Sequence, residues 1–163
     1  VDAIPAYVAP ESVAAFEKFG VFTKTELESR AEIEYETYAK TINIEAKAMI
    51  DIAGKQIIPA VIKYVTSLAQ SVNSVKSAVA DADVSVLTES SALLSDAQVA
   101  LAKLKDETAK AGAMEEGREQ AVYYRDVVKT AMDALRTPVD ELEMIVDKEM
   151  WPMPSYGDLI FEV

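Results

Sequence analysis

The fold is decided by residues 58–79, which read Ile58-Pro-Ala-Val-Ile-Lys-Tyr-Val-Thr-Ser-Leu-Ala-Gln-Ser-Val-Asn-Ser-Val-Lys-Ser-Ala-Val79. The apolar residues of this stretch alternate between spacings of three and four over three heptads: Ile58, Val61, Val65, Leu68, Val72, Val75 and Val79. That spacing places one apolar stripe along a single face of a long helix, and such a stripe needs apolar partners.

The same period continues upstream, so the first helix is predicted over residues 23–80. Its upstream stripe consists of Leu27, Ala31, Tyr35, Tyr38, Ile42, Ala46, Met49 and Ala53. Thr23 and Glu26 have the spacing of a capping box, in which each side chain accepts a backbone N–H of the other residue. Thr25 with Glu28 is the alternative register.

This first helix contains one Gly, Gly54, and one Pro, Pro59. Pro59 has no N–H to donate to the carbonyl of Lys55, and its ring crowds that carbonyl. Gly54 weakens the same turn. We therefore predict that the helix is kinked or broken near residues 54–58.

Two further helices are predicted, over residues 84–111 and 114–149. The second stripe contains Leu87, Ser90, Leu94, Ala97, Leu101, Leu104, Thr108 and Ala111, and the third contains Met114, Ala121, Tyr124, Val128, Ala131, Leu135, Leu142 and Ile145. Gly112 is expected to end the second helix in a left-handed conformation. The stripe continues across Pro138, which favours a kinked but continuous third helix. The short connections predict an all-α, antiparallel bundle of three long helices.

Residues 1–22 and 150–163 flank this bundle as an irregular N-terminal arm and an irregular C-terminal tail, because prolines and glycines interrupt both. A short helical piece at Glu11–Phe19, ended by Gly20, is possible in the arm. Both ends are rich in aromatic residues and could pack on the bundle or on another domain or subunit. The candidate contact residues are Phe16, Phe19, Phe22, Trp151, Tyr156 and Phe161.

Composition bounds the class of protein. The 163 residues suffice for one domain with a core, and the net charge is −12 with no His. Such a charge argues against nucleic acid and against an anionic membrane surface as partners. The absence of Cys excludes disulfides and thiolate metal sites. The chain starts without Met, and we expect it to be a piece of something larger.

No stretch carries a complete catalytic constellation. Because the chain has no His, its residues cannot form the sites that require one, including bundle di-metal sites and Ser-His-Asp triads. Gly54-Lys55 resembles the end of a P-loop, but the upstream glycine is replaced by Met49. Asn43 is expected to be a buried amide, with a functional contact as the alternative. The carboxylate pairs Glu115–Glu116 and Asp140–Glu141 are expected to lie on solvated helix faces.

Several segments nevertheless resemble the C-terminal region of type III glutamine synthetases, the large bacterial form of that enzyme. These segments are Val1–Pro5, Phe16–Phe22, Thr25–Arg30, Tyr38–Ala46 and Val146–Phe161. The resemblance is most specific in Lys-Thr-Ile-Asn-Ile-Glu-Ala46 and Trp151-Pro-Met-Pro-Ser-Tyr-Gly-Asp158, and weakest over residues 84–112.

The resemblance implies a parent enzyme that joins ammonia to glutamate through γ-glutamyl phosphate, using ATP and a divalent metal, Mg or Mn. The resemblance places the residues that bind metal, nucleotide and glutamate in an upstream catalytic domain. It assigns no cofactor site, metal ligand or catalytic residue to this chain. It implies a cytoplasmic homo-oligomeric ring, in which this chain is a non-catalytic structural or assembly domain contacting the catalytic domain and neighbouring subunits. The alternatives are a free-standing acidic helical-bundle adaptor or scaffold, and a small enzyme using bundle-core carboxylates with a divalent metal.

Overall fold

The computed structural model describes residues 1–79, 81–154 and 156–161, with the side chains of Tyr156 and Phe161 outside that description. A 3₁₀ helix at Ile4–Val8 comes first. The α-helices that follow are α1 (Pro10–Lys18), α2 (Lys24–Ile52), α3 (Ile58–Ala78), α4 (Ser85–Gly112), α5 (Arg118–Tyr123), α6 (Lys129–Glu143) and α7 (Tyr156–Phe161). Within the described residues there is no strand. The all-α class is therefore confirmed, while the antiparallel three-helix arrangement stays a prediction.

The first long helix is not broken at Pro59. A π-helical turn, Ala53–Ile57, joins α2 directly to α3, and the N–H of Ile58 donates to the carbonyl of Ala53. The turn therefore contains one residue more than an α-helical turn. This wider turn lies immediately before Pro59, and it accommodates the proline without ending the helix.

A second π-helical turn, Tyr124–Val128, joins α5 to α6. Pro138 lies inside α6, which is continuous as expected. The third predicted helix was expected to begin at residue 114 or 115. It begins at Arg118, the first residue of α5, because the preceding Gly117 has φ 138° and ψ −159°. That backbone conformation is essentially restricted to glycine and cannot be part of a helix.

Two compact units divide the chain. The first comprises Val1–Lys47 and Asp106–Thr130, and the second comprises Ala48–Lys105 and Ala131–Val163. In the first unit, Ile4, Ala31, Tyr35 and Ala121 form a buried cluster against which Val1 and Tyr38 pack. The N-terminal arm therefore contributes a core residue, Ile4, and is helical over Pro10–Lys18 in agreement with the possible helical piece.

The end of α4 in the first unit differs from the expected left-handed glycine cap. Gly112 is the last residue of the helix, and the described glycines with positive φ are Gly20 and Gly117. The buried side chain of Gln120 instead donates to the carbonyl oxygen of Ala111 at 3.0 Å. An amide from the next helix thus satisfies one of the terminal carbonyls of α4, so a left-handed residue is not required there.

In the second unit, the core cluster consists of Ile57, Val61, Ala97, Leu142 and Val146. The partly buried residues packed against it are Ile52, Tyr64, Val65, Leu93, Leu94, Val139 and Trp151. The hydroxyl of Tyr64 donates to the carbonyl oxygen of Ile145 at 3.0 Å. Val61, Ala97 and Leu142 in this core were predicted stripe residues of the three helices, whereas Ile57 and Val146 each lie one position away from a predicted stripe residue.

Candidate interaction surfaces

Aromatic side chains of the N-terminal arm cluster within the first unit. The rings of Phe16 and Phe22 lie 5.6 Å apart at an angle of 57°. The guanidinium of Arg30 lies 4.3 Å from the ring centroid of Phe22, which is a cation–π distance. Phe16 and Phe22 are both half-buried, so this arm is held by its own contacts.

The third arm residue, Phe19, is 76% exposed. It ends α1, and the ammonium of Lys18 lies 5.8 Å from its ring centroid. Beside it lies a groove of about 430 Å³ lined by Glu17, Gly20, Val21, Phe22, Thr23 and Glu26. Of the three arm phenylalanines, Phe19 is therefore the one that remains open to a partner.

The capping box predicted at the start of α2 forms this groove's polar edge. The N–H of Thr23 donates to Glu26 Oε2 at 2.7 Å, and the N–H of Glu26 donates to Thr23 Oγ1 at 3.3 Å. The bond from the Thr23 backbone, followed by that from its hydroxyl, lowers the pKa of the Glu26 carboxyl. The carboxylate is thus the form that holds the helix start.

The C-terminal tail begins with a turn organised by Asp147 in the second unit. Its carbonyl oxygen accepts the N–H groups of Met150 and Trp151, both at 2.9 Å. Its carboxylate accepts the N–H of Glu149 at 2.7 Å. Trp151 consequently packs against the core cluster of this unit, and its indole N–H has no acceptor among the described residues.

Beyond this turn the tail contains a helix, α7, which the sequence did not predict. Leu159 and Ile160 on α7 are 64% and 66% exposed. The ammonium of Lys148 contacts the carboxylate of Asp158 at 2.9 Å, which ties α7 to the preceding turn. Tyr156 and Phe161 are its first and last residues, and the contacts predicted for their side chains lie outside the described part of the structure.

Each unit also carries a groove that the sequence did not reveal. In the first unit it measures about 560 Å³ and is lined by Ser29, Glu32, Ile33, Tyr35, Glu36, Glu116, Gly117 and Arg118. In the second unit it measures about 440 Å³ and is lined by Lys55, Gln56, Pro59, Ala60, Lys63, Glu149, Met150 and Pro152. The first lining has three carboxylates and one cation, and the second has two cations and one carboxylate.

The amino-acid sequence contains part of the information that locates the groove of the second unit. Lys55 and Lys63 interrupt the most apolar part of the chain, near Pro59. Helical spacing puts residues 55, 59 and 63 on one face, four positions apart. That residues 149–152 form the opposite wall depends on the turn at Asp147, which local spacing does not encode.

The remaining predicted positions are ordinary surface or half-buried sites. Glu115, Glu116, Asp140 and Glu141 are all exposed, and Asp140 Oδ2 accepts a bond from Arg136 Nε at 3.0 Å. Asn43 is half-buried. Across residues 1–79, 81–154 and 156–161, no group of three or more His, Cys, Asp or Glu side chains is placed to hold a metal ion. None of the helices described is both long and apolar enough to cross a membrane.

Comparison with known proteins shows which proteins this chain resembles. The family described as the glutamine synthetase C-terminal domain matches residues 1–76. A glutamine synthetase from Butyrivibrio fibrisolvens is 33% identical over 167 residues, covering 99% of this chain and 24% of the relative. A glutamine synthetase from Bacteroides fragilis (strain YCH46) is 27% identical, covering 98% of this chain and 23% of the relative. The type-3 glutamine synthetase of Dictyostelium discoideum is 28% identical, covering 93% and 22%.

The described residues are thus all-α and carry both apolar and charged surfaces. The chain spans about a quarter of the length of the curated relatives it matches. Residues 1–76 match the glutamine synthetase C-terminal domain family, and the resemblance of the chain to type III glutamine synthetases is confirmed.

Proposed function

We propose that this chain is the non-catalytic C-terminal helical domain of a type III glutamine synthetase. The whole enzyme would join ammonia to glutamate with ATP, through γ-glutamyl phosphate, in the cytoplasm. The domain would pack on the catalytic domain and on neighbouring subunits of a homo-oligomeric ring, and so support assembly. The observation that carries this proposal is a relative matched over 99% of this chain but over only 24% of its own length.

The cofactors of the reaction would be ATP and a divalent metal, Mg or Mn, bound by the catalytic domain. The described residues of this chain offer no clustered ligand set for such a metal. We therefore assign no step of the reaction to this chain. Its contribution is to hold surfaces in place, and the exposed side chains of Phe19, Leu159 and Ile160 support that role.

A free-standing helical adaptor is not favoured. Helical spacing by itself would suit such a protein equally well. However, three glutamine synthetases match at least 93% of this chain. A relative with the length of this chain alone would be needed to favour the adaptor.

The proposal is tested with the full-length gene product and with a truncated form lacking these 163 residues. We expect the full-length protein to release phosphate from ATP only when glutamate and ammonia are both present. We expect the truncated form to show a smaller native mass by analytical ultracentrifugation, because subunit contacts are lost. The isolated chain should show no such phosphate release.

Two results would overturn the proposal. A native gene product with the mass of this chain alone, 17.8 kDa, would favour the adaptor. Glutamate- and ammonia-dependent phosphate release by the isolated chain would show that it is catalytic.

A further inference from the structure

The groove of the second unit has two walls of different origin. One wall is a helical face that runs from the π-helical turn into α3 and contributes Lys55, Gln56, Pro59, Ala60 and Lys63. The other wall is the segment after α6, which contributes Glu149, Met150 and Pro152. Its volume of about 440 Å³ falls in the range that holds several side chains of a partner.

The second wall is fixed before any partner arrives. As described above, Asp147 accepts the backbone N–H groups of Glu149, Met150 and Trp151. Glu149 and Met150 line this wall, and Trp151 lies next to them in the chain. Trp151, between Met150 and Pro152, packs into the core of the unit. A groove whose walls are already ordered loses little conformational entropy when it is filled, which favours binding.

The charge of the groove is opposite to that of the chain. Its lining has two lysines and one glutamate, whereas the chain as a whole has a net charge of −12. Lys55 is already paired with Asp51 one turn earlier on the same helix. The ion pairs among the described residues do not include Lys63, which is exposed. Lys63 therefore offers a positive charge beside an apolar surface.

The apolar part of the groove consists of Pro59, Ala60, Met150 and Pro152. Met150 is exposed on this wall, and the same unit also exposes Leu159 and Ile160 on α7. Apolar side chains next to a single available cation suit a protein segment that carries apolar residues and a carboxylate. Such complementary charge selects a partner and its orientation.

We propose that this groove receives an acidic, partly apolar segment of the catalytic domain, whose carboxylate pairs with Lys63. This inference rests on the proposed function, because it takes the partner from the remainder of a glutamine synthetase. About three quarters of the Butyrivibrio relative lies outside the match. A segment within the same polypeptide has a high effective concentration, so it would fill the groove ahead of a separate molecule.

The experiment is carbodiimide cross-linking of the full-length protein, read by mass spectrometry. This reagent joins a lysine to a carboxylate that it contacts, without a spacer. We expect Lys63 to be linked to an Asp or Glu outside these 163 residues. Mixing subunits of light and heavy isotopes shows whether that carboxylate belongs to the same subunit or to its neighbour, and either location within a catalytic domain supports the proposal.

Lys76 provides the matched control, since it is another exposed lysine of α3. Lys63→Gln should remove the link, whereas Lys76→Gln should leave it unchanged. Lys63→Glu should weaken docking of the domain by up to about fivefold, the usual limit for one exposed ion pair. Protection of Met150 from oxidation in the full-length protein should fall in the same variant.

Three outcomes would overturn the proposal. In the first, Lys63 links only to carboxylates of its own domain or of the same domain in a second copy. In the second, Lys63 is not linked, while other lysines of the domain link to the catalytic domain; the proposed function then stands. In the third, no lysine of the domain links to the catalytic domain, and the proposed function falls as well.

Discussion

Two helix faces in the second unit have the same spacing in the sequence but different surroundings in the structure. On α6, the stripe residues Leu135 and Leu142 are buried, as is Pro138 between them. On α3, the stripe is buried at Val61, half-buried at Val72, and 55% exposed at Val79, just past the helix end. Spacing therefore shows that an apolar face exists, but it does not show how far along the helix a partner covers it.

The largest expected effect tests this contrast directly. Leu142 is fully buried in the core cluster, so Leu142→Ala should lower the free energy of unfolding by about 2–5 kcal/mol. Val75→Ala, on the exposed part of α3, should change it by no more than about 0.5 kcal/mol. Urea unfolding followed by circular dichroism measures both, and equal losses would show that the two faces are equally covered.

Two glycines allow a similar comparison between two positions of the backbone. Gly117 has φ 138° and ψ −159°, so Gly117→Ala should cost about 1–3 kcal/mol although no atom obstructs its added methyl group. Gly54 lies in the π-helical turn and is not among the glycines with positive φ, and a methyl group there would lie 3.7 Å from Leu101 Cδ2. Gly54→Ala should therefore stabilise the chain by about 0.5–1 kcal/mol.

Thermal unfolding of these two variants gives the measurement. An increase in the melting temperature for Gly117→Ala would contradict the assignment of its backbone conformation. A loss for Gly54→Ala would show that the π-helical turn requires glycine.

A smaller effect on the free energy of unfolding is expected at the exposed capping box that begins α2. Thr23→Ala removes the hydroxyl that caps α2 and should cost about 0.5–2 kcal/mol. Because hydrogen bonds in the folded state lower the pKa of Glu26, its contribution is present above the ordinary value of 4.5 and is lost as the pH falls below it. Thr23→Ala should therefore reduce the dependence of stability on pH in this acidic range, and an unchanged dependence would place its source elsewhere.

The smallest free energy is expected for the opening of α7. This helix has six residues and exposes Leu159 and Ile160. Helices this short are marginal without packing, so its amides should exchange with solvent much faster than those of α6. Hydrogen exchange of the isolated chain measures this difference. Strong protection of the α7 amides would contradict the idea that this helix docks on another domain.

The sequence predicted the features that depend on neighbours along the chain. The stripes, the capping box at Thr23 and the continuity of α6 across Pro138 all follow from local spacing or local hydrogen bonding. The position of the end of α4 was predicted correctly, but the left-handed conformation expected at Gly112 was wrong, because Gln120, eight positions later, satisfies the carbonyl of Ala111. No propensity of Gly112 itself carries that information.

The candidate contact residues were only partly resolvable for a related reason. Phe16, Phe19 and Phe22 have similar spacing and chemistry, yet Phe16 and Phe22 contact each other while Phe19 is exposed. Which aromatic stays free depends on the path of the chain at Gly20, where φ is 64°. The groove beside Pro59 was missed because its second wall comes from residues about ninety positions later in the chain.

The π-helical turn at Ala53–Ile57 has a consequence for insertions and deletions. Because this turn holds one residue more than an α-helical turn, removing a single residue there would leave an ordinary α-helical turn. Val61, which is fully buried, would then keep its position in the core. Natural loss of one residue should thus be tolerated at Ala53–Ile57 when Pro59 is also replaced. A one-residue deletion elsewhere in α3 would instead rotate the residues that follow by about 100°.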